Sequence, residues 1–205
     1  MSTGSRILIV GAGGLSSPLI RLLAKSGVRH VTIVDDDVVE ASNLHRQTLY
    51  TDADLGKPKI QRAADAITSL APQLAVRSVE GRFVPNTAKE LLEGHDLVVE
   101  GADNLATKFL VADAAHLAGV PAVQAGAVRW SGWAFCGLPG AACLRCLFED
   151  IPRDRVETCA EAGVVGPVVG VLGALQAAFL YRWLAGERPA GELWHYEALR
   201  GALRR

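Results

Sequence analysis

The sequence predicts an α/β fold whose mostly parallel sheet is extended along one side by antiparallel strands. Three observations carry that expectation. Short β-branched runs alternate with helical ones from residue 6 onward, and a glycine-rich turn, Gly11-Ala12-Gly13-Gly14, joins the first strand to the first helix. The alternation then breaks near Val128, where one apolar-alternating stretch follows another with no helical run between them. With 205 residues, 50% hydrophobic and 21% charged, the chain is long and apolar enough for one domain over 1–205. Its 21 Lys+Arg against 22 Asp+Glu leave a net charge of −1, so no basic surplus favours nucleic acid or an anionic membrane.

Arg6–Val10 reads as the first strand and Leu15–Ser26 as a helix ending at Gly27. His30–Val34 is the second strand, stopping at three consecutive aspartates, and a loop occupies Asp35–Leu55. Lys57–Leu70 is a helix, Leu74–Val79 a strand, Thr87–Glu93 a short helix and Asp96–Glu100 a strand that runs into Gly101-Ala102-Asp103-Asn104. Leu105–Leu117 reads as a helix, Pro121–Gln124 as a strand, and Val128–Cys136 as an antiparallel one. A cysteine-bearing turn, a charged loop over Glu149–Thr158, a long apolar helix and a pair of strands within Glu192–Leu203 complete the chain.

Two segments raise the question of a membrane. Ile7–Val10 is too short for a signal peptide core and has no basic leader. Ala162–Tyr181 carries no charge, is long enough to span a bilayer, and contains Gly166 and Gly170 at a small-xxx-small spacing. Pro167, Gln176 and the glycines dilute its hydrophobicity, so a buried helix is the expected reading. Four cysteines are too few for a disulfide-stapled secreted module, and a reducing cytoplasm is the expected compartment.

The glycine turn between strand and helix is where unpaired backbone N–H groups and the helix dipole make a phosphate site. A dinucleotide fingerprint would place a third glycine where Ser16 stands, and Asp35, at the end of the second strand, is the acid that grips ribose hydroxyls. The same turn serves NAD or ATP, and a turn that only lets strand and helix pack closely would read similarly. The loop that follows separates these. Ser42-Asn43-Leu44-His45-Arg46-Gln47 and Leu55-Gly56-Lys57-Pro58-Lys59 bring Arg46 and Lys59 toward a nucleotide without hydride chemistry, as a triphosphate requires.

At this point the chain resembles the ThiF/MoeB/HesA family, bacterial relatives of ubiquitin-activating enzymes, whose hallmarks are a GxGGxG turn, an aspartate-rich strand end, SNLxRQ, GxxK and a TDN-like motif. The resemblance implies a Rossmann-like ATP-binding fold. It implies that Gly11, Gly13 and Gly14 form the phosphate turn, that Asp35 binds ribose, and that Asn43, Arg46 and Lys59 contact phosphates. Asp103 would then hold Mg²⁺, with Asn104 completing that motif; alone, Asp103 also reads as a helix N-cap before Leu105. The implied activity is adenylation of the Gly-Gly carboxylate of a ubiquitin-like sulfur-carrier protein in thiamin, molybdopterin or related sulfur transfer. The long helix would serve a homodimer.

Cys159 aligns with a cysteine that links covalently to the carrier in such enzymes. Glu157 and Glu161 disfavour a thiolate there and the start of the long helix favours one, so a reactive and an inert reading both stand. Cys143 and Cys146 resemble half of the family's tetrathiolate zinc site, with Cys136, Cys159 or His195 as the candidates to complete it. Cys136 itself reads as core, and the five histidines as surface or satisfied polar residues. Lys108 stands where many relatives carry arginine. The family's leading arginine-bearing helix and second CxxC have no counterpart in 1–205, which keeps a non-catalytic scaffold or heterodimer subunit as the alternative. An NAD-dependent oxidoreductase would have no evident use for the 43–47 motif or Lys59.

Overall fold

Strand β1 (Arg6–Val10) lies third in the eight-stranded sheet that the described residues form, in the order β3-β2-β1-β4-β5-β6-β7-β8. The computed structural model describes residues 4–150 and 163–205. β2 (His30–Asp35), β3 (Ala75–Glu80), β4 (Leu97–Glu100) and β5 (Ala122–Val128) run parallel to β1. β6 (Ser131–Gly137), β7 (Glu192–Glu197) and β8 (Ala202–Arg204) then add antiparallel pairs. The expected change of direction falls between β5 and β6, at the two-residue turn Arg129-Trp130, where Arg129 takes φ 52°.

The sheet is covered on both faces, and β1 shows why the strands read as unbroken apolar runs. Its alternate side chains serve two cores. Ile7 and Ile9 join the layer under α1 (Ser16–Leu23), α2 (Lys59–Leu70) and a long last helix, with Leu19, Ile60, Ile67 and Phe179. Leu8 and Val10 join the opposite layer under α3 (Pro85–Leu92) and α4 (Leu105–Ala118), with Phe83, Leu92, Val98 and Val111. α5 is a single turn, Leu144–Leu147, and α6 spans Gly166–Leu184.

Element ends differ from the sequence expectation for local reasons. α1 stops at Leu23 because Lys25 and Ser26 donate instead to Leu22 and Leu23 carbonyls, and Gly27 follows at φ 83°. α2 begins after Pro58, and α3 begins at Pro85, two residues before the expected Thr87, because proline is suited to the first turn. Thr87 contributes from inside that turn, its Oγ1 accepting the Val84 N–H at 3.2 Å.

The apolar segment is a helix of mean hydropathy 1.3, half of it buried in this fold. It lies on α1, β5 and β6, with Val168, Leu172, Phe179 and Leu180 fully enclosed. Its glycines act differently from the small-xxx-small expectation. A Cβ at Gly166 would strike the His45 carbonyl and one at Gly173 the Leu15 carbonyl, while Gly170 faces open space. The close approaches are thus within the chain.

Ser16 occupies the position expected for a third glycine and is fully buried. Its hydroxyl donates to the Gly11 carbonyl at 2.5 Å, and the room for it comes from Gly101, where a Cβ would lie 2.6 Å from Ser16 Oγ. Small size has moved from one side of the contact to the other. Gly101→Ala is expected to cost about 1–3 kcal/mol in urea unfolding. Gly101→Ala combined with Ser16→Gly should cost clearly less than the two single changes added together.

A second buried polar contact lies at the opposite edge of the strands, where His95 Nε2 and Thr32 Oγ1 are 2.8 Å apart. Burial, then the Arg6 guanidinium, holds the His95 imidazole below its ordinary value. The unfolded chain therefore takes up that proton first as pH falls. The stability from neutral His95 is complete above the ordinary histidine value of about 6.5 and is lost as pH falls from there through the lower native value. Urea midpoints should drop between pH 7.5 and 5.5, and the drop should shrink in His95→Gln.

Candidate active site

The carboxyl ends of β1, β2 and β4 open into a cavity of about 680 Å³. That is where ligands bind in open parallel sheets, between diverging crossovers. Gly11, Gly13 and Gly14 line one wall, with Asp35, Arg46, Lys59, Asp103 and Asn104 around them. Seven of the cofactor-binding residues expected from sequence, all but Asn43, thus line one cavity; Asn43 joins it through Arg46, whose Nη2 donates to Asn43 Oδ1.

The turn is built by close backbone approach. Gly11 sits at φ 91°, and a Cβ there would lie 3.2 Å from backbone atoms of Gly101 and Ala102, the turn after β4. A Cβ at Gly14 would meet Val169 of α6 at 2.8 Å. Below the turn, Tyr50 donates its buried hydroxyl to the Ala12 carbonyl at 2.6 Å. Burial and the nearby carboxylates, Asp35 first, push the Tyr50 phenol far above its ordinary value, so it remains a donor.

Asp35 accepts the Ala12 N–H at 2.7 Å on one oxygen and the Asp37 N–H at 2.9 Å on the other. Burial raises its carboxyl above the ordinary range against the pull of those two donors and of Lys59. Each oxygen keeps a further lone pair for a hydroxyl. Arg46 also donates Nη1 to the Ser42 carbonyl at 3.2 Å, which holds its guanidinium at the cavity rim. The two cations expected to stand together differ in their surroundings. Lys59 is almost fully buried, and its ammonium lies 2.8 Å from Asp37 Oδ2. The last two aspartates of the 35–37 run are divided between two cations, Asp36 to Arg82 and Asp37 to Lys59.

The 103–104 motif divides its roles. Asn104, not Asp103, is the N-cap of α4, accepting the Thr107 N–H at 2.8 Å. Asp103 therefore faces the cavity exposed, with no hydrogen bond or ion pair to the described residues. An exposed carboxylate in this cavity supplies the hard oxygen ligands that could hold Mg²⁺.

The loop bearing Asp103 rests on a buried ion pair that sequence reasoning missed in part. Glu100 is fully buried, its two oxygens lie 3.1 and 3.0 Å from the Lys108 ammonium, and it accepts the Ala102 N–H at 2.6 Å. Lys108 also donates to the Ala125 carbonyl, and Gln176 of α6 donates to the Glu100 carbonyl at 2.6 Å. Burial pushes the Glu100 carboxyl up against the opposing charge of Lys108. The available signal was an acid ending a wholly apolar strand, Leu97-Val98-Val99-Glu100, with a lysine in the first turn of the helix that follows.

The cysteines separate as well. Cys136 is buried on β6, as expected, and burial pushes its thiol up to about 12. Cys143 and Cys146 place their sulfurs 4.0 Å apart on α5, compatible with two corners of a tetrahedral thiolate site. Among the described residues no third ligand joins them, and His195 lies exposed on β7. Cys159 lies outside the described residues.

Residues 3–205 match the ThiF family model. The chain belongs to the ThiF family. Among its relatives, the molybdopterin-synthase adenylyltransferase of Escherichia coli is 39% identical over 199 residues, covering 95% of this chain and 80% of its own. The SAMP-activating enzyme E1 of Haloferax volcanii is 39% identical over 198 residues, 95% of this chain and 73% of its own. The adenylyltransferase and sulfurtransferase UBA4 of Yarrowia lipolytica is 43% identical over 183 residues, 88% of this chain; that stretch is 46% of its own length. The chain thus spans about half of some relatives and most of others. The crystal structure of E. coli MccB with ATP superposes with TM-score 0.86 at 21% identity, over 98% of this chain and 63% of MccB, a likeness of fold. The ThiF-family fold explains why the motifs converge: all of them lie at carboxyl ends of parallel strands or in the loops just beyond.

The buried pair gives a stability test. Lys108→Met, which strands the Glu100 carboxylate, should cost about 3–5 kcal/mol in urea unfolding. Adding Glu100→Leu should recover part of that loss.

Proposed function

We propose that this ThiF-family chain adenylates the C-terminal Gly carboxylate of a ubiquitin-like sulfur-carrier protein at the expense of ATP. The observation that carries this reading is the one cavity in which a glycine turn, Asp35, Arg46, Lys59 and Asp103, without a partner among the described residues, meet. In this reading the turn after β1 receives phosphates on its free N–H groups and Asp35 accepts ribose hydroxyls. The carrier's terminal carboxylate has an ordinary value near 3.5, so it arrives ionised and needs no general base. It attacks the α-phosphorus, the bond to the β-phosphate oxygen breaks, and an acyl-adenylate and pyrophosphate result.

Arg46 and Lys59 then have an electrostatic task, offsetting charge on the phosphates as the bond to pyrophosphate lengthens. The Asp37 carboxylate fixes the Lys59 ammonium at the floor of the cavity beforehand, which lowers the reorganisation needed at the reacting centre. Mg²⁺ entering with ATP supplies further charge neutralisation, and Asp103 is the residue that would hold it. Asn43 would act through Arg46, as its hydrogen bond to that guanidinium suggests.

A homodimer built on the outer face of α6 fits this reading. Gly170, Val171, Ala174, Leu175 and Ala178 form a half-exposed apolar stripe there. Free thiols at Cys136, Cys143 and Cys146 suit a reducing compartment such as the cytoplasm.

The test is ATP–pyrophosphate exchange in the presence of small carrier proteins ending in Gly-Gly. Exchange should appear with the cognate carrier, and Asp103→Ala or Arg46→Ala should reduce it about 100-fold or more. Absence of exchange with every thiamin- and molybdopterin-type carrier would refute the assignment.

A further inference from the structure

One wall of the cavity has no part in the chemistry above. Beyond Asp35, on the side away from the glycine turn, the chain leaves β3 through Gly81 and Arg82 into the start of α3. Gly81 N–H donates to the Asp35 carbonyl at 3.2 Å, which ties this exit to the end of β2. Arg82 lines the cavity, and its Nε lies 2.6 Å from Asp36 Oδ2. Ala106, Thr107 and Leu110 of α4 line the same cavity.

The two walls differ in kind. Ala106 and Leu110 give the α4 side apolar surface beside Thr107, as one face of a slot for a flat ring should have. The Arg82 wall offers a planar guanidinium, 73% exposed, held by a single bond through Nε. That bond leaves both terminal nitrogens and the flat face uncommitted. A guanidinium stacks on aromatic faces in a way an ammonium cannot. Asp36 also matters for what Arg82 does not do. Its charge offsets that of Arg82, so the pair presents little net attraction to a triphosphate, while Arg46 and Lys59 carry that role at the other end.

Order along the cavity then follows from the chain. The glycine turn at the end of β1 takes phosphate, Asp35 at the end of β2 takes ribose, and the space beyond β2, bounded by the exit of β3, remains for the base. We propose that Arg82, oriented by Asp36, is the base-stacking residue of this site, closing a purine ring of the nucleotide against Ala106 and Leu110. The inference rests on the nucleotide reading above and adds to it which side chain recognises the base. Asp36 is a positioning residue acting through Arg82.

Calorimetric titration of the full chain with ATP and Mg²⁺, beside competition by inorganic tripolyphosphate, tests this. Arg82→Ala should weaken ATP about 5- to 30-fold and leave tripolyphosphate competition unchanged. Arg82→Lys, which keeps the charge and loses the plane, should weaken ATP nearly as much, and Asp36→Asn by a smaller factor. Equal loss for ATP and tripolyphosphate, full retention by Arg82→Lys, or unchanged ATP affinity in Arg82→Ala would each overturn the role. If wild-type protein fails to bind ATP, the nucleotide reading itself falls; if wild type binds and Arg82→Ala matches it, only the stacking role does.

Discussion

The close seating of α6 on the loops above the sheet is the contact on which the rest of the site depends. Gly166 meets the His45 carbonyl, Val169 fills the space left by Gly14, Gly173 meets the Leu15 carbonyl, and Gln176 holds the Glu100 carbonyl. One helix thereby touches the phosphate turn, the loop that carries Arg46 and the strand end that carries the Asp103 loop. At Gly166 and Gly173 only a residue without Cβ allows the approach. The helix is apolar because it is packed on two layers at once, and its one buried amide is spent on the strand end nearest the site.

Charge in this fold is partitioned with the same economy of position. Asp35, Asp36 and Asp37 are consecutive, yet each faces a different partner: backbone N–H groups, Arg82 and Lys59. Glu100 is matched by Lys108. A strand end points successive side chains to opposite sides, so a run of three acids need not become a cluster of like charge. The acid left over is Asp103, because the neighbouring Asn104 takes the capping task that Asp103 might have filled. That Asp103 has no partner among the described residues is thus a consequence of a local competition for one helix terminus.

Much of this was legible in the sequence, and the reasons are specific. The βαβ order, the turn to antiparallel strands and the buried state of Cys136 follow from side-chain periodicity, which a chain of this kind carries openly. The glycine turn, Asp35, Arg46 and Lys59 were legible because each sits in a short motif at a strand end. Partnerships were not. Lys59 meets Asp37, 22 residues away, because the loop between β2 and α2 doubles back through the antiparallel bridge Val38–Pro58, and Arg82 meets Asp36, 46 residues away, because parallel β2 and β3 bring their exits to one edge. Ser16 misled in a similar way, since its compensation lies at Gly101, on another strand. The glycines of α6 were read as a surface for a second helix, whereas two of them meet backbone inside the chain.

The composition of the cavity wall bears on the kind of chemistry it can perform. Among the described residues that line it there is no histidine, cysteine, serine or tyrosine. The nearest phenol, Tyr50, lies beneath the turn with its hydroxyl committed to the Ala12 carbonyl, and burial keeps it protonated. Asp35, the acid whose value burial raises, takes one backbone N–H on each oxygen and keeps a lone pair on each for a hydroxyl. Asp103 is the carboxylate on these walls with no partner among the described residues, and the proposed reading gives it to Mg²⁺. A carboxylate that arrives already ionised asks only for cations, a phosphate cradle and exact placement, and those are what the glycine turn, Arg46 and Lys59 provide.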